Sequence, residues 1–364
     1  MIIKHKTNKY FYIAIRKLFL KEFPPSFNKI IHAFLILKII LRGEKRRLKT
    51  QNEKSTPIPY ACIFSITWKC NLNCIGCYAK HYPYENQLKT HEIKKIIEQS
   101  SSLGIYIFII VGGEPLTNPE LIDILSEIKN SLFFLFTNGT LLDYEKVKKL
   151  KNAKNIIPII STEGNDSFVD LRRGQGMGEK INNALNLLKS QNVIFGFSSM
   201  ITHRNLKEVL SKDWFNSLWT YGARFGFIID YIPFPKTIDK TLILDIEDMK
   251  YKKSKIEELN NKSKITLFNF PENEYKHSGC KSAGNGFIHI NANGNVEPCP
   301  FSHYAADNIR DKSLIDILNS NFFKEIRSEF QDKPNNHKSC LLFYNDDIVK
   351  KIANDTNAFC TEKN

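Results

Sequence analysis

From residue 57 onward the chain alternates short apolar runs with amphipathic stretches. Residues 63–67, 106–111, 133–137, 156–161, 195–201 and 224–229 are rich in Ile, Phe and Val and predict strands. Between them, segments near 91–103, 119–130, 143–152, 179–190 and 205–218 place apolar residues at helical spacing. Pro119 suits the opening of a helix and Asp143 suits an N-cap. Strand–helix alternation repeated about six times predicts an α/β protein with a parallel sheet wound in right-handed βαβ units. Periodicity alone leaves an open doubly wound sheet and a full or partial barrel equally compatible. In either, ligands gather at the C-terminal ends of the strands.

The first 56 residues follow a different pattern and predict a basic amphipathic helical arm. Phe11, Ile13, Ile15, Leu18 and Phe19 mix with Arg16, Lys17 and Lys21. After Pro24-Pro25, residues 30–41 are apolar except for His32 and Lys38. Twelve residues are too few to cross a bilayer, which takes roughly 20. Such a helical pair lies in a membrane interface, docks a partner or packs on the protein's own body.

Composition narrows the class. The 364 residues include 26 Phe, 14 Tyr and 3 Trp, which supply a core and exclude disorder. Eight Cys are too sparse for a secreted disulfide scaffold, and the apolar N-terminal stretch is interrupted by charge with no small-residue cleavage site. A cytoplasmic protein is expected, with a peripheral position at the inner face of the membrane if the arm (residues 1–50) touches lipid. Of the net charge of +14, residues 1–54 carry +11, with 14 Lys and Arg against 3 Asp and Glu. A nearly neutral body argues against a nucleic-acid partner, because phosphate contacts require a basic face.

The cysteines carry the chemistry. Straight after the first strand stand Cys70, Cys74 and Cys77, spaced by three and two residues. Thiolates this close on one loop converge on a single soft metal centre, as in iron–sulfur clusters. A structural zinc site takes four closed ligands, whereas three leave one metal position open for substrate or cofactor. Zinc with a remote fourth ligand remains an alternative on spacing alone.

At these residues the chain resembles the radical SAM superfamily, whose signature is Cys-x3-Cys-x2-Cys after the first barrel strand. The resemblance implies a partial (βα)6 TIM-like barrel at 57–235. It implies that Cys70, Cys74 and Cys77 hold three irons of a [4Fe–4S] cluster, with S-adenosylmethionine on the fourth. Gly76 departs from the aromatic residue often found before the third Cys. Gly112-Gly113-Glu114-Pro115 matches the family's GGE motif one βα unit later. Two glycines let backbone approach a ligand closely, and the resemblance gives Glu114 the cofactor's amino group. Phe136-Thr137-Asn138-Gly139-Thr140 closes the third strand and reads mostly as turn chemistry. In similar enzymes a Ser at the fourth strand end and an Arg in a later Asp-x-x-Arg bind the ribose and carboxylate. Ser161 and Arg173 match best here, with Arg172 the runner-up and Asn205 a weaker cofactor contact or a helix cap.

Cys280, Gly294 and Cys299 reproduce the opening of the SPASM and twitch extensions, so residues 277–364 resemble a small auxiliary iron–sulfur extension after a connecting segment at 236–276. Asn293-Gly294 between apolar runs is a hairpin signal that draws Cys280 and Cys299 together. The chain lacks the run needed for a second auxiliary cluster, so one [4Fe–4S] cluster is the ceiling. Cys340 and Cys360 follow at longer range as the remaining candidate ligands: Phe343 stands where a Cys-x2-Cys partner would, and Cys360 is either a closing ligand or a tail cysteine. His277 and His303 are conceivable substitutes, and Cys62 reads as a small buried hydrophobe.

The resemblance implies an enzyme that reductively cleaves S-adenosylmethionine to a 5′-deoxyadenosyl radical and abstracts hydrogen from a peptide, lipid or small molecule. An electron donor such as a flavodoxin or ferredoxin is implied as partner. No protein acid or base stands out. The alternative is a non-catalytic iron–sulfur or zinc-binding module, which has no use for Gly112–Glu114, Ser161 and Arg173 together.

Overall fold

The computed structural model describes residues 27–233, 239–271, 279–280, 282–333 and 340–362. The first half of the basic arm and His277 lie outside the described residues.

Twelve strands are described: β1 (Ala61–Ser65), β2 (Ile107–Val111), β3 (Leu132–Thr137), β4 (Ile156–Ser161), β5 (Gly196–Ile201), β6 (Phe225–Asp230), β7 (Thr266–Phe270), β8 (Phe287–Ile290), β9 (Asn295–Glu297), β10 (Tyr304–Ala305), β11 (Asp307–Asn308) and β12 (Phe359–Cys360). The large sheet runs β11-β9-β8-β1-β2-β3-β4-β5-β6-β7, and β8 through β7 are mutually parallel neighbours. Side chains from β1, β2, β3, β4, β5 and β6 line one cavity, which a sheet permits only when it curls on itself. This is the expected partial barrel, extended by β7 beyond β6 and by β8 beyond β1. Both added strands lie outside residues 57–235. β7 falls in the segment expected as a connection, and β8 is the first strand of the expected extension. β7 did not stand out because a five-residue run without its own βα repeat gives a weak periodic signal, and the hairpin signal that marked β8 did not say that it would join the barrel sheet beside β1.

The helices are α1 (Phe27–Lys54), α2 (Thr90–Leu103), α3 (Leu121–Glu127), α4 (Tyr144–Asn152), α5 (Asp166–Arg173), α6 (Met177–Ser190), α7 (Leu206–Val209), α8 (Lys212–Tyr221), α9 (Ile246–Lys262), α10 (Leu314–Leu318), α11 (Asn321–Phe330) and α12 (Asp346–Asp355). Asp143 caps α4 as expected, accepting from the Lys146 N–H at 2.8 Å. Pro119 does not open its helix. Asn118 accepts from the Glu120 N–H, and that turn delays α3 to Leu121. The single helix expected over 205–218 is broken at Ser211, whose hydroxyl caps α8 by accepting from Trp214 N–H.

α1 settles one of the three fates open to the arm. Its Ile36 and Ile39 pack with Leu132, Ile157, Ile159 and Phe225, residues near the N-terminal starts of β3, β4 and β6. The helix therefore stoppers the end of the barrel opposite the strand ends where ligands gather. Gly43 allows the closest approach, since a Cβ there would stand 2.3 Å from the Tyr106 ring. Among the described residues, no helix is long and apolar enough to cross a membrane.

Candidate active site

A cavity of about 300 Å³ opens at the C-terminal ends of the strands. Cys70, Cys74 and Cys77, Gly112, Gly113 and Glu114, and Ser161 and Arg173 all line it. One side of the cavity is thus polar, and the rest is walled by apolar groups such as Phe227, Phe270 and Phe301.

The cysteine loop is held by backbone and by short polar side chains. Cys70 Sγ accepts from the Leu72 N–H at 3.4 Å, and Lys80 Nζ donates to the Cys74 carbonyl at 2.8 Å. Asn71 donates to Thr140 Oγ1 at 2.8 Å and accepts from Asn138 Nδ2 at 2.9 Å. The Phe136–Thr140 turn is therefore more than a turn: it anchors the cysteine loop. Gly112 and Gly113 also serve that loop first. A Cβ on Gly112 would stand 2.3 Å from Thr67 O, and one on Gly113 would stand 2.2 Å from Lys69 O. Their closeness admits the strand-leaving backbone of residues 67–69, which accepts from the Gly113 and Glu114 N–H groups at 2.7 and 2.8 Å. The close approach is to the cysteine loop, and both glycines also line the cavity. Gly76, in a left-handed conformation at φ +70°, lies under Tyr231, whose ring edge is 2.9 Å from where a Cβ would be.

Glu114 is buried, and three of its roughly four carboxylate lone pairs are filled by Leu116 N–H, Thr137 Oγ1 and Asn138 N–H at 2.7–3.0 Å. One acceptor position on Oε2 is left for a cation in the cavity. Burial raises its pKa, and these hydrogen bonds oppose the rise. Arg173 is buried too, and its fork closes bidentately on Glu163 at 2.6 and 2.5 Å. Arg172 reaches the same carboxylate at 2.6 Å. Although burial works against ionisation, the two guanidinium groups hold the Glu163 carboxyl below its ordinary range. Arg173 keeps N–H donors beyond those given to Glu163, so it can still grip an anion. Glu163 escaped the sequence reading because nothing in Ser-Thr-Glu-Gly says that the chain returns ten residues later on the same spot. Ser161 Oγ lies 3.1 Å from Ser198 Oγ. Asn205 instead turns its side chain back on residues 200–202, accepting from Thr202 N–H and donating to Met200 O. It neither caps α7 through its side chain nor lines the cavity.

Two further groups were invisible to motif reading. Asp230, at the end of β6 and on the cavity wall, is buried with Lys252 of α9, whose ammonium reaches both carboxylate oxygens at 2.7 and 2.8 Å. Behind the cysteine loop, Ser65 Oγ lies 2.8 Å from His289 Nε2, and His289 Nδ1 lies 2.6 Å from Glu297. Tyr82 donates to Glu297 at 3.2 Å and lies 3.0 Å from His303 Nδ1. The Tyr82 ring stacks on Trp68 at 4.2 Å between centroids. This sealed polar core ties the first strand and cysteine loop to the β8–β9 hairpin. It engages His303 at Nδ1, and burial lowers that histidine to about 4.

In the extension, β8 and β9 form the hairpin expected around Asn293-Gly294. Cys280, Cys299 and Cys340 are buried in its apolar packing. Cys360 is exposed but not in a frayed tail: it sits in β12, opposite Tyr304 of β10. Cys62 is a fully buried core residue of β1, and burial pushes its thiol far up.

The family model for the radical SAM superfamily matches residues 64–211, and that for an iron–sulfur cluster-binding domain, SPASM, matches residues 280–341. The chain carries a radical SAM domain followed by a SPASM domain. The AdoMet-dependent heme synthase of Methanosarcina barkeri is 27% identical over 304 residues, covering 75% of this chain and 86% of that protein. The subtilosin biosynthesis protein AlbA of Bacillus subtilis is 24% identical over 303 residues, covering 78% and 65%. In fold, Streptococcus suis SuiB bound to precursor peptide SuiA superposes with a TM-score of 0.61 at 16% identity, over 79% of this chain and 71% of that one. As a radical SAM protein with a SPASM domain, the chain is an enzyme whose cofactors are a [4Fe–4S] cluster, S-adenosylmethionine and an auxiliary iron–sulfur cluster. The residues present fit the first two: three thiols line one cavity with a buried carboxylate and a buried guanidinium, the donor set a soft cluster and a zwitterionic ligand require.

Proposed function

We propose that this radical SAM enzyme modifies a peptide, binding S-adenosylmethionine on the polar side of the cavity and the reacting group of the substrate against its apolar side. The observation that carries the reading is the convergence of Cys70, Cys74, Cys77, Glu114, Ser161 and Arg173 on one cavity. Cys70, Cys74 and Cys77 hold the catalytic cluster. When bound, the cluster would supply the electron for reductive cleavage of S-adenosylmethionine and so the means of hydrogen abstraction from substrate. Glu114 takes the amino group at its open lone pair, and Gly112 and Gly113 hold the loop that carries the thiols. Arg173, oriented by Glu163, pairs with the carboxylate, and Ser161 meets the ribose. The apolar wall excludes water from the radical. In the extension, Cys280, Cys299, Cys340 and Cys360 form the auxiliary ligand set. A flavodoxin- or ferredoxin-type donor delivers the electron.

The peptide reading is supported by the likeness to AlbA, named for bacteriocin biosynthesis. The likeness to the heme synthase favours a second reading, a tetrapyrrole substrate. Anaerobic reconstitution followed by dithionite and S-adenosylmethionine tests the core of the proposal. Formation of 5′-deoxyadenosine is the expected result, and a zinc-loaded, iron-free protein would overturn it. A mass change in a co-expressed peptide, against formation of heme, separates the two substrates.

A further inference from the structure

Helix α1 has two faces, and only one is used by the fold. His32, Ile36, Ile39 and Gly43 point into the protein. A helix turns about 100° per residue, so Phe34, Leu41 and Leu48, seven residues apart, fall in one row on the opposite side. They are 69%, 53% and 40% exposed. Single exposed apolar residues are ordinary on a protein surface, but an aligned row of three is not. Immediately beside that row lies a second, made by Lys38, Arg42, Lys45 and Lys49, all exposed. Of the acidic residues of the helix, only Glu53 touches that row, at its C-terminal end. Glu44 is turned inward and bound to Arg47, and Glu53 sits at the far edge against Lys49.

We propose that this outer face of α1 is a docking surface for an anionic lipid bilayer. An apolar row flanked by cations is the pattern of a helix lying in a membrane interface, with aromatic and aliphatic groups in the acyl boundary and ammonium groups among the phosphates. Charge complementarity selects this partner, because Lys38, Arg42 and Lys45 form a cationic row in which only the last member, Lys49, is neutralised by a carboxylate. The helix lies on the membrane and does not span it: the cations interrupt its apolar length, and its other face is committed to the barrel. The geometry has a consequence for the enzyme. Because α1 closes the N-terminal end of the barrel, docking through it turns the cavity mouth away from the bilayer.

The test is flotation of the reconstituted full chain with vesicles of pure phosphatidylcholine and vesicles carrying 30% phosphatidylglycerol. Binding to the anionic vesicles alone, falling with salt, is expected. Near an anionic surface each cation contributes about 1 kcal/mol, roughly fivefold in partitioning. Lys38→Gln with Lys45→Gln is therefore expected to weaken binding by about 25-fold. Phe34→Ser with Leu41→Ser is expected to weaken it even at low salt. Both pairs leave the melting temperature and 5′-deoxyadenosine formation unchanged, since neither touches core or cavity. No flotation with anionic vesicles overturns the proposal. So does a dimer in solution that the Phe34/Leu41 pair dissociates, because a second copy would then own the face. Equal binding to both vesicle types would also overturn it. None of these readouts depends on whether S-adenosylmethionine is cleaved.

Discussion

Gly113→Ala tests whether the glycine pair exists for the cysteine loop. The new Cβ would stand 2.2 Å from Lys69 O and 2.6 Å from Lys69 C and Trp68 O, all backbone atoms. No rotamer relieves that, so residues 67–69 must retreat by about 1 Å to reach ordinary contact. The retreat strains or breaks the bonds from Gly113 N–H to Thr67 O and from Glu114 N–H to Lys69 O, at 2.7 and 2.8 Å. Two buried hydrogen bonds at about 1 kcal/mol each and overpacking at about 1–3 kcal/mol give a cost of about 3–5 kcal/mol. Because Lys69 leads directly into Cys70, the shift also displaces a thiol. The control is Gly176→Ala, where φ is +76° but nothing lies within 4 Å of the Cβ. That variant carries only conformational strain, about 1–2 kcal/mol. Iron per chain, cluster absorption and thermal melting are measured after anaerobic reconstitution. Gly113→Ala is expected to lose the share of iron due to one cluster and to melt well below Gly176→Ala. Equal iron content and equal melting in the two variants would refute the steric reasoning.

Three other predictions follow from the same geometry. Replacing Cys70, Cys74 and Cys77 together with Ala abolishes 5′-deoxyadenosine formation while about four irons remain, counted by a colorimetric iron assay; loss of all iron would show that the extension binds none by itself. Glu163→Gln leaves two guanidinium groups, one of them fully buried, without their carboxylate, and is expected to cost about 3–5 kcal/mol in denaturant unfolding and to weaken S-adenosylmethionine binding in calorimetry; unchanged affinity would remove Arg173 from the cofactor site. Glu92, paired bidentately with Arg310 across the barrel and the extension, is lowered to about 2 by that partner. Its folded value lies below the unfolded one, so its contribution is full above about pH 4.5 and is lost as pH falls toward 2. Glu92→Gln should therefore destabilise at pH 7 by about 1 kcal/mol and not at pH 2, a difference read from unfolding at the two pH values.

Sequence alone carried the repeating architecture and the three-thiol loop. Strand-length apolar runs alternating with helical ones dictate βαβ units, because each face must be buried and right-handed crossovers leave few ways to do it. Three thiols within eight residues need no tertiary information to meet, since one loop brings them together. Gly112–Glu114 and Ser161 were legible for a related reason: each ends a strand, and parallel strands in a curled sheet end on the same rim.

What the tertiary structure decided is everything that depends on distant segments sharing space. Glu163 and the arginines face one another only because α5 folds back over the end of β4. The glycine pair supports the thiol loop only because β1 and β2 are neighbours in register. Asp230 finds Lys252, and Ser65 finds His289 across 224 positions of sequence, through packing that no local spacing encodes. The arm shows the division most plainly. Its amphipathic pattern announced an apolar face and a basic one, but which apolar row enters the barrel depends on where Leu132, Ile157 and Phe225 lie. Ile36 and Ile39 are buried against them, while Phe34, Leu41 and Leu48, equally apolar, are left outside. Hydrophobicity says that a residue gains from being covered; only the fold says by what.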